Sequence, residues 1–170
     1  MLKRLNRLWL LFKARRAVRR LNALTLRNAR GNLVKTRLIE LGIQASERGI
    51  DTLTARQQLV LRTSSALGII HNGGFRYFLE GDQPLAPVAD GFRTLGFNDA
   101  AAACDSVIAL VAAQPQFTEE ARRGAIIEAS KGAPQFDTED SAVFQVPWSE
   151  LEAAIGRYMR RSPRDFPGVP

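Results

Sequence analysis

Between Ile69 and Phe78 the chain reads Ile-Ile-His-Asn-Gly-Gly-Phe-Arg-Tyr-Phe, and no other stretch constrains the fold as much. The apolar rhythm of the preceding segment stops, two glycines follow an asparagine, and three aromatics come within the next four residues. Asn or Gly takes the left-handed backbone that ends a helix at low cost, and a second glycine lets the chain change direction. The stretch therefore predicts that one helix is capped here, that the chain reverses, and that the aromatics lock the turn into a core. An anion-binding glycine loop is the alternative. The G-x-x-x-x-G-K-[ST] spacing is absent, however, the preceding pattern is helical, and no lysine lies nearby. The structural reading is preferred, with Asn72, Gly73, Gly74, Phe75, Tyr77 and Phe78 as its motif.

The rest of the chain supplies helices for that turn to join. Leu33 to Arg48 carries a helical apolar stripe that Gly49 ends. Thr54-Ala55-Arg56-Gln57 fits a capping box at the start of a helix running to Ile70. Further helices are expected over Pro84–Leu95, with Gly96 as its cap, over Ala100–Ala113, capped by Asn98 or Asp99, and from Thr118-Glu119-Glu120 to about Ser130. Gly132 to Pro147 reads as a loop. A second capping box, Ser149-Glu150-Leu151-Glu152, opens a final helix whose buried face is marked by Trp148, Leu151, Ile155, Tyr158 and Met159. No run alternates apolar and polar residues with β-branched enrichment, so the fold class is all-α. One multi-helix domain of six or seven helices, residues 31–170, follows a basic N-terminal helix over residues 1–30.

Charge is distributed unevenly. Residues 1–39 hold 12 Lys and Arg and no acid, whereas the remaining 131 residues hold 12 bases and 17 acids. In the head, Leu5, Leu8, Trp9 and Phe12 recur at three- and four-residue steps between Lys3, Arg4, Arg7, Lys13, Arg15, Arg16, Arg19 and Arg20. This is the pattern of a basic amphipathic helix. Its apolar run from Leu8 to Phe12 is too short for a secretory signal core or a membrane span. The stripe either packs on the body, or the Trp9/Phe12 face enters an anionic membrane surface, or the cations meet nucleic acid.

Chemistry-bearing residues are few. Cys104 is the one cysteine and His71 the one histidine, so neither an internal disulfide nor a metal cluster is expected, and no cofactor is implied. A single thiol fits a reducing, cytoplasmic compartment, with the basic head allowing a peripheral place at the inner membrane face. Cys104 sits among alanines and reads as a small core residue. His71 is the one candidate general base, but nothing in the sequence gives it a nucleophile, and a histidine bonded to a carbonyl near a helix end is preferred.

From Leu38 to Phe166 the chain resembles the DNA mimic protein 19-like family, a bacterial domain-of-unknown-function family typified by a protein that sequesters a transcription factor. The resemblance rests on Asn72-Gly73-Gly74-Phe75 with Tyr77-Phe78, on the helix before it, on Phe92-Arg93-Thr94-Leu95-Gly96-Phe97, and on Tyr158 to Phe166. Ile69 stands where members often carry an acid, and Arg76 alone separates Phe75 from Tyr77, which marks a divergent branch. The resemblance implies a compact helical domain and supplies no catalytic residues. DNA mimicry carries over poorly, because a duplex presents a charge every ~1.7 Å and this body's acids are scattered. The expected function is a non-enzymatic protein-interaction module with another protein as partner. The alternative is an anionic-surface binder that meets membrane or nucleic acid through residues 1–30.

Overall fold

The structure, a computed structural model, describes residues 32–81, 83–113, 119–129 and 136–169. The basic helix expected over residues 1–30 lies outside the described residues. Internal contacts divide the chain into two units, Met1–Leu53 and Thr54–Pro170. Among the described residues there are seven α-helices, one 3-10 turn and no strand. The all-α class holds.

In the first unit, α1 spans Leu33–Arg48. Asn32 opens it, its side chain accepting from the Lys35 N–H at 2.9 Å. Gly49, at φ +93°, closes it before the 3-10 turn Ile50–Thr52.

The second unit holds six helices: α2 (Ala55–Leu79), α3 (Ala86–Leu95), α4 (Asn98–Ala112), α5 (Glu119–Ala129), α6 (Asp137–Phe144) and α7 (Trp148–Arg160). The capping box forms as the sequence predicts: Thr54 Oγ1 accepts from Gln57 N–H at 3.3 Å, and Gln57 Oε1 from Thr54 N–H at 3.0 Å. The same residues tie down the chain's end. Gln57 Nε2 donates to the Asp165 carbonyl at 2.7 Å, and Arg56 pairs with the Asp165 carboxylate at 3.2 Å. A hydrogen bond from the Thr54 hydroxyl, and then Arg56, hold that carboxyl below its ordinary range. Phe166 is thereby fixed in the core with no exposed surface, its ring edge against Tyr158.

Helix α2 is the spine. It presents Val60, Ala66, Leu67 and Ile70, all fully buried, to helices packed along it. α3 lies between α2 and α4, α6 sits on α4 and α2, and α7 meets α3. Phe75, Phe78, Phe92, Leu151, Ile155 and Met159 fill the space between them. Each such side chain contributes about 1.5–3 kcal/mol when fully withdrawn from water. Cys104 is buried among them, and desolvation, followed by the neighbouring Asp105, pushes its thiol up to about 12. It is an inert core residue, as its alanine surroundings predict.

Several boundaries differ from the sequence reading. The stretch 132–147 is not all loop, since Asp137–Phe144 forms α6. Its eight residues are too few to display a helical period, yet three acids in its first turn suit a helix N-terminus. α7 begins at Trp148 after Pro147 and lacks the expected Ser149 box, and α4 begins at Asn98 after Phe97 without a side-chain cap. α3 starts at Ala86, so Pro87 rather than Pro84 occupies its first turn. Gly96 caps α3 as expected, at φ +93°, with Phe97 N–H donating to Phe92 O at 2.9 Å.

Helices α2 and α3 pack closely at Gly91. A Cβ there would land on Thr63 Oγ1 and 3.2 Å from Thr63 Cβ, while that hydroxyl is already donating to Leu59 O. Because Thr63 is fully buried and cannot retreat, Gly91→Ala is expected to destabilise the body by about 1–3 kcal/mol in urea denaturation. Unchanged stability would show that α2 and α3 part without cost.

Candidate functional site

The Ile69–Phe78 stretch forms a break within α2 rather than the reversal that its glycines predict. Helical backbone continues through Asn72, leaves helical geometry at Gly73 and Gly74, and resumes from Phe75 to Leu79. Neither Asn72 nor Gly73 takes the left-handed region; Gly74 does, at φ +70° and ψ −175°. Gly73, at φ −162°, is extended, and its lack of a side chain matters for another reason. A Cβ there would lie 2.6 Å from Tyr77 Cβ. Asn72 closes the first segment with its own side chain, Nδ2 donating to Gly68 O at 2.8 Å.

A helix restarting in mid-chain has free amides that need acceptors. Asp140 of α6 supplies one: its Oδ1 accepts from Phe75 N–H at 2.7 Å. A Cβ on Gly74 would lie 2.9 Å from the Asp140 carboxyl carbon, so the second glycine admits the carboxylate as well as the unusual backbone. Desolvation pushes the Asp140 carboxyl up, the Phe75 amide pulls it down, and Asp137 and Glu139 add smaller upward effects. Near the C-terminal end of α6, His71 Nε2 lies 3.1 Å from Val143 O. A carbonyl only accepts, so Nε2 carries the proton in this contact. This is the carbonyl-bonded histidine that the sequence favours.

Helix α6 is thus fastened to both sides of the break. Phe136 at its start is buried against Phe75, with ring centroids 6.4 Å apart. Ser106 of α4 donates to Glu139 at 2.7 Å and holds its outer side.

The fastening leaves three large aromatics in the open. Phe144 is 49% exposed, with its ring 5.8 Å from His71 at 73°. Trp148 is 46% exposed, its ring lying over Gly68, where a Cβ would be 3.5 Å away. Tyr77 is 53% exposed. Two sequence expectations change here. Tyr77 does not help lock the break into the core, and Trp148 does not belong to the buried face of α7. Phe75 and Phe78 are buried as expected. Gly68 and His71 stand one helical turn apart on α2, and Phe144 and Trp148 stand four residues apart across the α6–α7 corner, so the two rings cover adjacent ground on α2.

An open groove of about 640 Å³ runs between the starts of α4 and α7 and one side of α6. Asn98, Thr138, Ser141, Gln145 and Glu150 make its walls largely polar, and neither His71 nor Asn72 lines it. Among the described residues no cluster of His, Cys, Asp or Glu has the arrangement of a metal site. No helix of the described residues is long and apolar enough to cross a membrane. Lys3, Arg4, Arg7, Trp9, Phe12, Lys13, Arg15, Arg16, Arg19 and Arg20 lie outside the described residues.

Sequence reasoning missed Asp140, Phe144 and the exposed placement of Trp148. The acidic run Asp137 to Asp140 directly after Phe136 is the signal that marks this helix start. Compared with known proteins, residues 51–162 match the family model described as DMP19-like protein. Neither a curated protein nor a solved structure matches the sequence.

Two substitutions test the break. Gly74→Val should destabilise by about 1–3 kcal/mol, since both its backbone and its space exclude a side chain. A harmless outcome would show that the glycine serves something other than the fold. Asp140 holds its proton more tightly folded than unfolded, so its ionisation weakens the fold as pH rises through the folded value. Asp140→Asn keeps an oxygen acceptor for Phe75 N–H without the charge. It should equal or exceed the wild type in thermal stability at neutral pH, and the difference should disappear as pH falls to the ordinary carboxylate range.

Proposed function

Since the chain belongs to the DMP19-like protein family, we propose that it is a non-enzymatic protein-interaction module that binds another protein through the aromatic face at the α2 break. The observation that carries this reading is the joint exposure of Phe144 and Trp148 on adjacent positions of α2. Large aromatics with about half their surface in water are poor solutes but strong anchors, since tryptophan and tyrosine are enriched among residues that dominate binding. Their support is rigid. Phe144 ends a helix bonded at both sides of the break, and Trp148 begins the next, so the rings are held in place before any partner arrives. Preorganised side chains lose less freedom on association. The acids Asp137, Glu139 and Glu150 on the same two helices favour a partner with a basic surface.

A second reading, attachment to an anionic surface through residues 1–30, is favoured by the 12 Lys and Arg, with no acid among them, in residues 1–39. Reversing Arg15, Arg16, Arg19 and Arg20 to Glu in the full chain should then abolish low-salt retention on anionic vesicles and weaken it on duplex DNA. Undiminished retention would exclude this reading.

For the leading reading, affinity capture with the full chain and with a Phe144→Ser/Trp148→Ser variant makes the comparison. A specific protein held by the wild type should be lost with the variant at unchanged melting temperature. Equal capture by both chains would remove the aromatic face from the interaction.

A further inference from the structure

Helix α7 ends in an unusual concentration of one charge. Arg157, Arg160, Arg161 and the following Arg164 are all exposed. Steps of three and four residues from Arg157 put Arg160 and Arg161 on its side of the last turn of α7, and Arg164 follows in the turn just beyond the helix. The opposite side, Leu151, Ile155 and Met159, is in the core. Cations near a helix C-terminus are ordinarily favourable. Yet Arg157 repels Arg160 and Arg161 at the spacings where like charges destabilise a helix. Nothing among the described residues offsets this. Asp165 is the one acid from Arg157 to the chain's end, and its carboxylate is engaged by Arg56 and Thr54. None of the four guanidinium groups forms an ion pair or hydrogen bond among the described residues.

We propose that this face is a contact for the phosphate backbone of duplex nucleic acid, independent of base sequence. The chemistry favours phosphate: all four groups are arginines, whose planar fork grips two phosphate oxygens at once where lysine offers a point charge. From Arg157 to the cap Arg161 the helical rise along this row is about 6 Å, on the scale of neighbouring phosphates of one strand, and Arg164 adds a cation just beyond. A bilayer is the weaker fit. An interfacial helix needs apolar side chains to insert beside its cations, and among the described residues of this unit the exposed large hydrophobics are Tyr77, Phe144 and Trp148, none of them a member of the row. Single strands fit poorly for the same reason, since their affinity draws on exposed aromatic stacking platforms. The proposal uses residues other than the aromatic face and stands whether or not that face binds a protein.

The test is fluorescence anisotropy of a labelled DNA duplex of arbitrary sequence with the full-length chain, titrated between about 50 and 200 mM salt. Replacing all four arginines with Gln should weaken low-salt binding at least tenfold and flatten the slope of log affinity against log salt by about 3 to 4. The pairs Arg157→Gln/Arg161→Gln and Arg160→Gln/Arg164→Gln should each remove about half of that slope, which keeps the measurement decisive should the fourfold variant misfold. Arg→Lys at all four positions should preserve the slope, because the charge is kept. No duplex binding by the wild type, or an unchanged slope in the Gln variants, overturns the proposal. So does loss of binding to phosphatidylserine vesicles with duplex binding intact, which would assign the row to lipid headgroups.

Discussion

One hydrogen bond organises the body of this protein: the amide of Phe75, freed where α2 breaks, donates to the carboxylate of Asp140. A helix interrupted at two glycines frees amides in its middle, and that of Phe75, a buried residue, needs an acceptor. The acceptor must come from elsewhere in the chain. Gly74 makes room for it, and α6 delivers it. With Asp140 in place, Phe136 meets Phe75, Val143 reaches His71, and the corner leading into α7 is fixed.

The break also determines what remains outside. Phe75 and Phe78 are turned inward by the resumed helix, while Tyr77, between them, is turned to solvent. Anchoring α6 across the break sets Phe144 beside His71 and Trp148 over Gly68. The aromatic face is therefore a consequence of how the core is closed. Its rings rest on α2, beside a helix that is bonded to α2 through Asp140 and Val143.

Much of this was legible in the residues. Thr54-Ala55-Arg56-Gln57, Gly49 and Gly96 encode caps whose geometry is local, and each forms as the sequence predicts. The glycine pair could be recognised as structural because its spacing suits no phosphate loop. Its details could not be recognised. Which glycine takes positive φ depends on Asp140, 66 residues further along from Gly74, and no local pattern encodes that partner. α6 was hidden for a related reason: in eight residues its buried side chain is Val143, so periodicity has nothing to count. Trp148 reads as core because of its size and its place on the apolar side of the final helix, and only its contact with Gly68, which lacks a side chain, shows where its half-exposed ring is seated.

The central claim is that Asp140 caps the restarted helix and so secures the break. Native-state amide hydrogen exchange, read residue by residue in the wild type and in Asp140→Ala, tests it most directly. The account predicts that Phe75 N–H is protected in the wild type and loses that protection selectively in the variant, while amides of the preceding segment around Leu67 and Ile70 keep theirs. Equal protection of Phe75 in both chains would contradict it.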